Sequence, residues 1–228
     1  MATANNKITF WTSVLIVIII ILGVLIYACW PGANRYEHTN DVNQSAAHIL
    51  NQLPVRELDS DLTYDRKAFG NGWQKWRACN TRARILQRDM TNFTTDDCKV
   101  VRGELDDLYT GKHFTFSNST EISRNVQIDH VVALGNAWRT GAKYLNVQQR
   151  AELANDTLEL LAVSAKSNIQ KSDSDASSWL PRNLKFRCSY IARQIAVKFK
   201  YHLWVTPQEK SIMQKVLQHC PGQAIPQH

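Results

Sequence analysis

The sequence contains no Cys-x-x-Cys pair, no internal repeat and no low-complexity tract. The first absence argues against a structural zinc site, whose thiolates usually come in such pairs. The second excludes a solenoid built from stacked units. The third leaves no compositionally biased segment to set aside. Acidic residues are also in short supply: 20 Asp and Glu stand against 27 Lys and Arg, a formal net charge of +7 over 228 residues. That balance favours a polyanionic partner, nucleic acid or anionic lipid head groups. Many basic proteins bind neither, so charge alone decides nothing. The length suffices for one good core plus a targeting segment.

Of the five cysteines, Cys29 closes a hydrophobic leader, and Cys79, Cys98, Cys188 and Cys220 follow it. Four cysteines allow three connectivities, and pairing Cys79 with Cys98 and Cys188 with Cys220 is the simplest. Disulfides imply an oxidising compartment. The alternative is a set of buried free thiols in a cytosolic protein.

Long apolar runs are confined to the leader. Val14 to Ala28 is almost wholly aliphatic, and Phe10 to Trp30, about 21 residues, is enough to span a bilayer as a helix. Trp11, Tyr27 and Trp30 sit near its ends, where interfacial aromatics belong. Ile26-Tyr27-Ala28 is a poor cleavage site. It precedes Cys29 much as in a lipoprotein box, although Tyr27 is bulky for that position. The expectation is one uncleaved transmembrane or signal-anchor helix over residues 1–30. The bulk of the chain then lies outside the membrane, and is secreted if the leader is cut. Residues 31–60 read as a linker and a short amphipathic helix: Val42, Ala46, Ile49, Leu50 and Leu53 recur at helical spacing before Pro54. Residues 61–220 read as the main domain and 221–228 as a tail.

Within that domain, Tyr64 to Trp76 interleaves aromatic and basic residues around a Gly-Asn-Gly turn. Such a stretch can stack on bases and contact phosphates, or supply core aromatics with solvated charges. Cys79–Met90 reads as a basic helix, Lys99–Val101 and Leu108–Phe116 as strands with a turn at Thr110-Gly111. Val126–Leu134 is an apolar, strand-like run. Leu134–Thr140 and Val147–Ala154 are expected to be helical, Leu158–Val163 a partner strand, and Ala165–Lys171 the start of a helix. Asn183–Leu203 and Thr206–His219 are predicted as two antiparallel helices, the second opened by a Thr206…Glu209 capping box with Pro207 at its first position. Their lengths bring Cys188 and Cys220 level.

The chemistry centres on Asp129 and His130, a carboxylate and an imidazole inside the apolar run, costly to bury without a partner. Neighbours on a regular strand point to opposite faces, so the two serve one site only if the strand ends or bends there. Asn168 and Lys171, three apart, share one helical face. An oxygen ligand, a neutral base, an amide oxygen and a cation are the parts for cleaving a phosphodiester with one Mg²⁺. Each pair alone also fits a solvated polar surface.

The blocks IDHVVAL, AWRTGA and ANDTLELLAVSAKSNIQKSDSDASSWLP, with FGNGW, CNTR, LYTGKHFTF and RCSYIARQIAVKFKYHLWVT, resemble the HNH nucleases. The likeness is to the secreted branch related to the C-terminal domain of GmrSD-type restriction enzymes, and it runs from Tyr64 to Cys220. It implies an α+β fold with a ββα-metal (HNH, His-Me finger) core and additional helices. It further implies His130 as the general base that activates water, with Asp129 and Asn168 holding Mg²⁺ or another divalent cation such as Mn²⁺. The products would be 5′-phosphate and 3′-hydroxyl ends. Where relatives carry an orienting Asn, this chain has Glu159, with Asn155 nearby; either is expected to hold the loop of the base. Arg82 and Lys171 are candidates for stabilising transition-state charge, Arg82 alternatively pairing with Asp89. An unperturbed imidazole, with a pKa of about 6.5, would make activity fall below about pH 6.5. The expected activity is Mg²⁺-dependent endonuclease cleavage of DNA with little sequence preference outside the membrane, stopped by EDTA. The alternatives are a tethered, non-catalytic DNA-binding module and an RNase of the same fold.

Overall fold

A computed structural model describes residues 45–60 and 63–226. The predicted membrane helix and most of the linker lie outside the described residues. Among those described, no helix is long and apolar enough to cross a membrane.

Residues 44–228 form a compact unit of mixed α and β structure, consistent with the α+β expectation. Helix α1 (Ala46–Gln52) is capped by Ser45 and buries Ala46, Ile49 and Leu50. It packs against α7 (Arg187–Lys200), and the Ala46 amide bonds the Gln223 carbonyl. The amphipathic helix and the tail are therefore parts of this unit. A hairpin of β1 (Lys75–Trp76) and β2 (Cys79–Asn80) leads into α2 (Thr81–Asp89), capped by Asn80. Strands β3 (Thr91–Asp96), β4 (Lys99–Asp107) and β5 (Lys112–Phe116) form an antiparallel sheet, with Gly111 turning β4 into β5 at φ 70°. Sequence reading missed β3, because TNFTTD has no apolar alternation and is exposed on most of its length. It also read too long a β5, since residues 108–111 are the turn after β4, where Asp107 accepts from the amides of Tyr109 and Thr110, as well as from that of Ser164. Helix α3 (Ser119–Asn125) was likewise unforeseen.

The centre of the unit is the antiparallel pair β6 (Val126–His130) and β7 (Leu160–Ser164), followed at once by α6 (Ala165–Lys171). Paired residues share a face, and this hairpin separates two apolar clusters. Val126, Ile128, Leu160 and Ala162 join Ile85 and Leu86 of α2 and Val100 and Leu105 of β4. Leu161 and Val163 join the larger cluster with Tyr109 and with Tyr190, Ile191 and Ile195 of α7. Burial on both faces explains why the strands read as apolar runs rather than alternating ones. Between β6 and β7 come α4 (Leu134–Arg139) and α5 (Val147–Asn155).

Helices α7 and α8 (Pro207–Gln218) close the unit. The capping box of Thr206 and Glu209 is present. Leu184–Phe186 forms a separate 3-10 turn before α7, so the predicted helix starts later. Both disulfides form as the simplest pairing: Cys79–Cys98 at a Cα separation of 5.3 Å and Cys188–Cys220 at 6.3 Å.

Candidate active site

The register of β6 settles where Asp129 and His130 point. Asp129 pairs with Leu161 and His130 with Leu160, so the strand stays regular to its last residue. The two side chains therefore leave opposite faces.

Asp129 enters the larger core, only 4% exposed. One carboxylate oxygen accepts from Lys171 Nζ at 2.9 Å, and the other accepts a short hydrogen bond from the Tyr109 hydroxyl. Lys171, fully buried, also donates to the His130 carbonyl at 2.7 Å. Burial pushes the Asp129 carboxyl up from its ordinary pKa, while Lys171 and Tyr109 pull it back. One turn earlier on α6, the Asn168 amide donates to Gln127 Oε1 at 2.9 Å. Gln127 and Asp129 share a strand face, so Asn168 and Lys171 meet them rung for rung.

His130 faces the other way. Its Nε2 lies 3.0 Å from the Ala154 carbonyl oxygen. A carbonyl only accepts, so Nε2 carries the proton and Nδ1 is the ring's acceptor. The imidazole stacks on Trp73, centroids 5.7 Å apart and planes 8° from parallel. Burial lowers the His130 pKa to about 3, the nearby Arg66 and Lys171 charges acting in the same direction. The ring borders a cleft of about 610 Å³ lined also by Arg66, Lys67, Gly70, Gly72 and Leu134. Gly70 and Gly72, at φ 102° and 101°, take backbone conformations that L side chains rarely adopt.

Two ties hold that cleft. Asn155, the last residue of α5, accepts from the Gln74 amide at 2.9 Å and donates to the Ala151 carbonyl. Arg150 Nε donates to the Ala68 carbonyl at 2.8 Å. Glu159 makes no bond to the His130 ring. Its carboxyl accepts from the Val132 amide at 3.2 Å and its carbonyl from Val131 at 2.8 Å, so it clamps the chain leaving His130. Burial holds its pKa well above the usual carboxylate range, favouring the neutral acid. Arg82 is not at the cleft. It donates to the Val126 carbonyl at 3.0 Å, four residues back along β6, or about 13 Å at the usual strand rise. Asp89 pairs with Arg88 instead, at 2.6 Å.

The structure thus brings Asp129, Lys171 and Asn168 to one face of β6, and His130, Asn155 and the cleft loop to the other. As placed, the donor set does not fit a cation. Both Asp129 oxygens already hold a donor, and a buried ammonium beside the carboxylate opposes a second positive ion. No group of three or more His, Cys, Asp or Glu able to hold a metal occurs among the described residues. Sequence reasoning did not name Trp73, Arg66, Tyr109 or the Ala154 carbonyl. The first two lie in the aromatic-basic stretch it singled out; a main-chain carbonyl leaves no sequence signal.

A family model described as the C-terminal domain of GmrSD restriction endonucleases matches residues 80–216. Over 179 residues the chain is 35% identical to an uncharacterized secreted protein of Arthroderma benhamiae, covering 77% of this chain and 85% of that one. No solved structure matches.

Proposed function

The chain belongs to the family of GmrSD restriction endonuclease C-terminal domains, and from that premise we propose that it hydrolyses phosphodiester bonds, those of DNA in the first instance, on the extracytoplasmic side of a membrane. The observation that carries this reading is His130. It is an imidazole of fixed tautomer, bordering a cleft whose rim carries Arg66 and Lys67. Nδ1 takes a proton from water as the water oxygen attacks phosphorus, and the bond from phosphorus to the 3′ oxygen breaks. That oxygen leaves as the alcohol with a proton from solvent, to which His130 then releases its own. The cationic rim offsets the developing charge. A base with a pKa near 3 is a weak acceptor, but a bound phosphodiester places negative charge beside it and raises it. Asn155 and Ala154 are positioning groups in this scheme: one fixes the loop, the other the ring. Two disulfides and a secreted relative support the extracytoplasmic side.

No step is routed through the divalent ion that the family resemblance implies, because Asp129 and Asn168 are engaged elsewhere. An ion at Asp129 would first have to displace Lys171. That arrangement specifically favours a second reading, a tethered nucleic-acid-binding module without catalysis.

Incubating the purified full chain and Mg²⁺ with supercoiled plasmid and with circular single-stranded DNA separates the two. Nicking that disappears in His130→Ala is the expected result. No cutting of either DNA at any protein concentration would leave the binding module ahead. An EDTA arm reads whether the Asp129–Lys171 pair opens to an ion (loss of nicking) or stays shut (nicking retained).

A further inference from the structure

Trp76 is 63% exposed, an unusual state for the largest side chain, which is mostly buried on average. It is nonetheless held firmly. It lies on the β1–β2 hairpin, whose turn contains Arg77 at φ 56°, and the Cys79–Cys98 disulfide ties the second strand to the start of β4. The Arg84 guanidinium sits 5.8 Å from the indole centroid, so a cation backs one ring face and leaves the other to solvent. Three residues earlier, Trp73 stacks on His130. Between Thr63 and Ala78 the charged residues are Arg66, Lys67, Lys75 and Arg77, with Asp65 as the sole acid. Asp65 is engaged as the cap of the Arg66–Phe69 turn. A short cationic stretch of chain therefore links Trp73, stacked on the candidate base, to the exposed indole of Trp76. It lies ahead of Asn80, where the family match begins.

We propose that Trp76, backed by Arg84, is a base-stacking platform that feeds unpaired nucleotides past Trp73 to His130, so that single-stranded nucleic acid is the preferred substrate class. The proposal rests on the nuclease reading of that cleft. An indole face binds a base only where the base face is free. In a duplex the base faces are covered by neighbours, whereas every unpaired base offers one, whatever its identity. Lys75, Arg77 and Arg84 hold the phosphates between stacked bases, which makes binding salt-dependent.

The test uses the full chain carrying His130→Asn, to suppress turnover. Fluorescence anisotropy measures its binding to single-stranded oligodeoxythymidine and to a mixed-sequence hairpin duplex. The expected result is binding to the single strand at least ~10-fold tighter than to the duplex. Trp76→Ala should weaken single-strand binding about 10-fold, within the range for loss of one stacked base, and leave duplex binding unchanged. Trp76→Phe should retain most of the affinity. Equal affinity for the two forms, or equal loss from both in Trp76→Ala, overturns the platform. So does Trp76-dependent binding to phosphatidylserine vesicles with none to oligodeoxythymidine, which would make the patch a lipid contact. The two readings fail separately. A chain that cuts neither plasmid nor circular single-stranded DNA but binds oligodeoxythymidine through Trp76 loses the nuclease reading and keeps the platform. A chain that nicks plasmid while Trp76→Ala binds like its parent does the reverse.

Discussion

The imidazole of His130 lies 8° from parallel with the indole of Trp73, and its Nε2 is bound to the Ala154 carbonyl. Two restraints of different kinds thus act on one ring: stacking sets its plane, and the carbonyl sets its tautomer. If Nδ1 is the general base, His130→Ala lowers the rate by about 10²–10⁴-fold. Gel-shift affinity for DNA should stay within a few-fold, because the cations of the cleft rim are untouched. Loss of binding together with cleavage, in a folded variant, would count against His130 as the base.

Burial corrects the pH expectation drawn from an ordinary imidazole. With its pKa near 3, His130 remains neutral through the range where a free histidine protonates. The kcat/KM profile, which reports the free enzyme, should show no acid limb near pH 6.5. Stability moves the other way. The unfolded chain takes up the proton below about pH 6.5 and the folded chain does not until about 3. His130 therefore lowers stability progressively as pH falls through that window. Urea midpoints between pH 7 and 4 should decline less steeply in His130→Asn.

Lys171 is fully buried against Asp129. Lys171→Met leaves that carboxylate without its cation and should cost about 3–5 kcal/mol in urea unfolding. Tyr109→Phe, which removes one hydrogen bond to the same carboxylate, should cost about 1.5–3 kcal/mol. A Lys171→Met protein that loses activity without losing stability would mean that the lysine contacts substrate rather than Asp129.

Asn155 ties α5 to Gln74, 81 residues away in sequence. Asn155→Ala should cost about 0.5–1.5 kcal/mol and lower kcat through the loosened Trp73 loop. Asn155→Asp retains the acceptor for the Gln74 amide and should recover most of kcat. Equal losses in both variants would show that the tie to Gln74 does not govern the loop.

Much of the framework was legible because its causes are local. The capping box at Thr206, the turn at Gly111 and the helix Ala165–Lys171 each follow from a few neighbouring residues. The apolar runs of β6 and β7 announced buried strands. The Cys188–Cys220 disulfide follows once α7 and α8 run antiparallel over matching lengths. The Lys75–Asn80 hairpin was not legible, since strands of two residues carry no periodicity.

The chemical groups were legible too, but not their partners. Sequence spacing put Asn168 and Lys171 on one helical face and marked Asp129 and His130 as unusual in an apolar run. Local propensity and residue type determine that much by themselves. Whether two adjacent side chains serve one site depends on strand regularity, and that depends on pairing with a strand some thirty residues away. Tertiary structure alone turned Asp129 to one face, against Lys171 and Tyr109, and His130 to the other, against Trp73. The register that buries Leu161 on one side and Leu160 on the other leaves each of them a single direction to point.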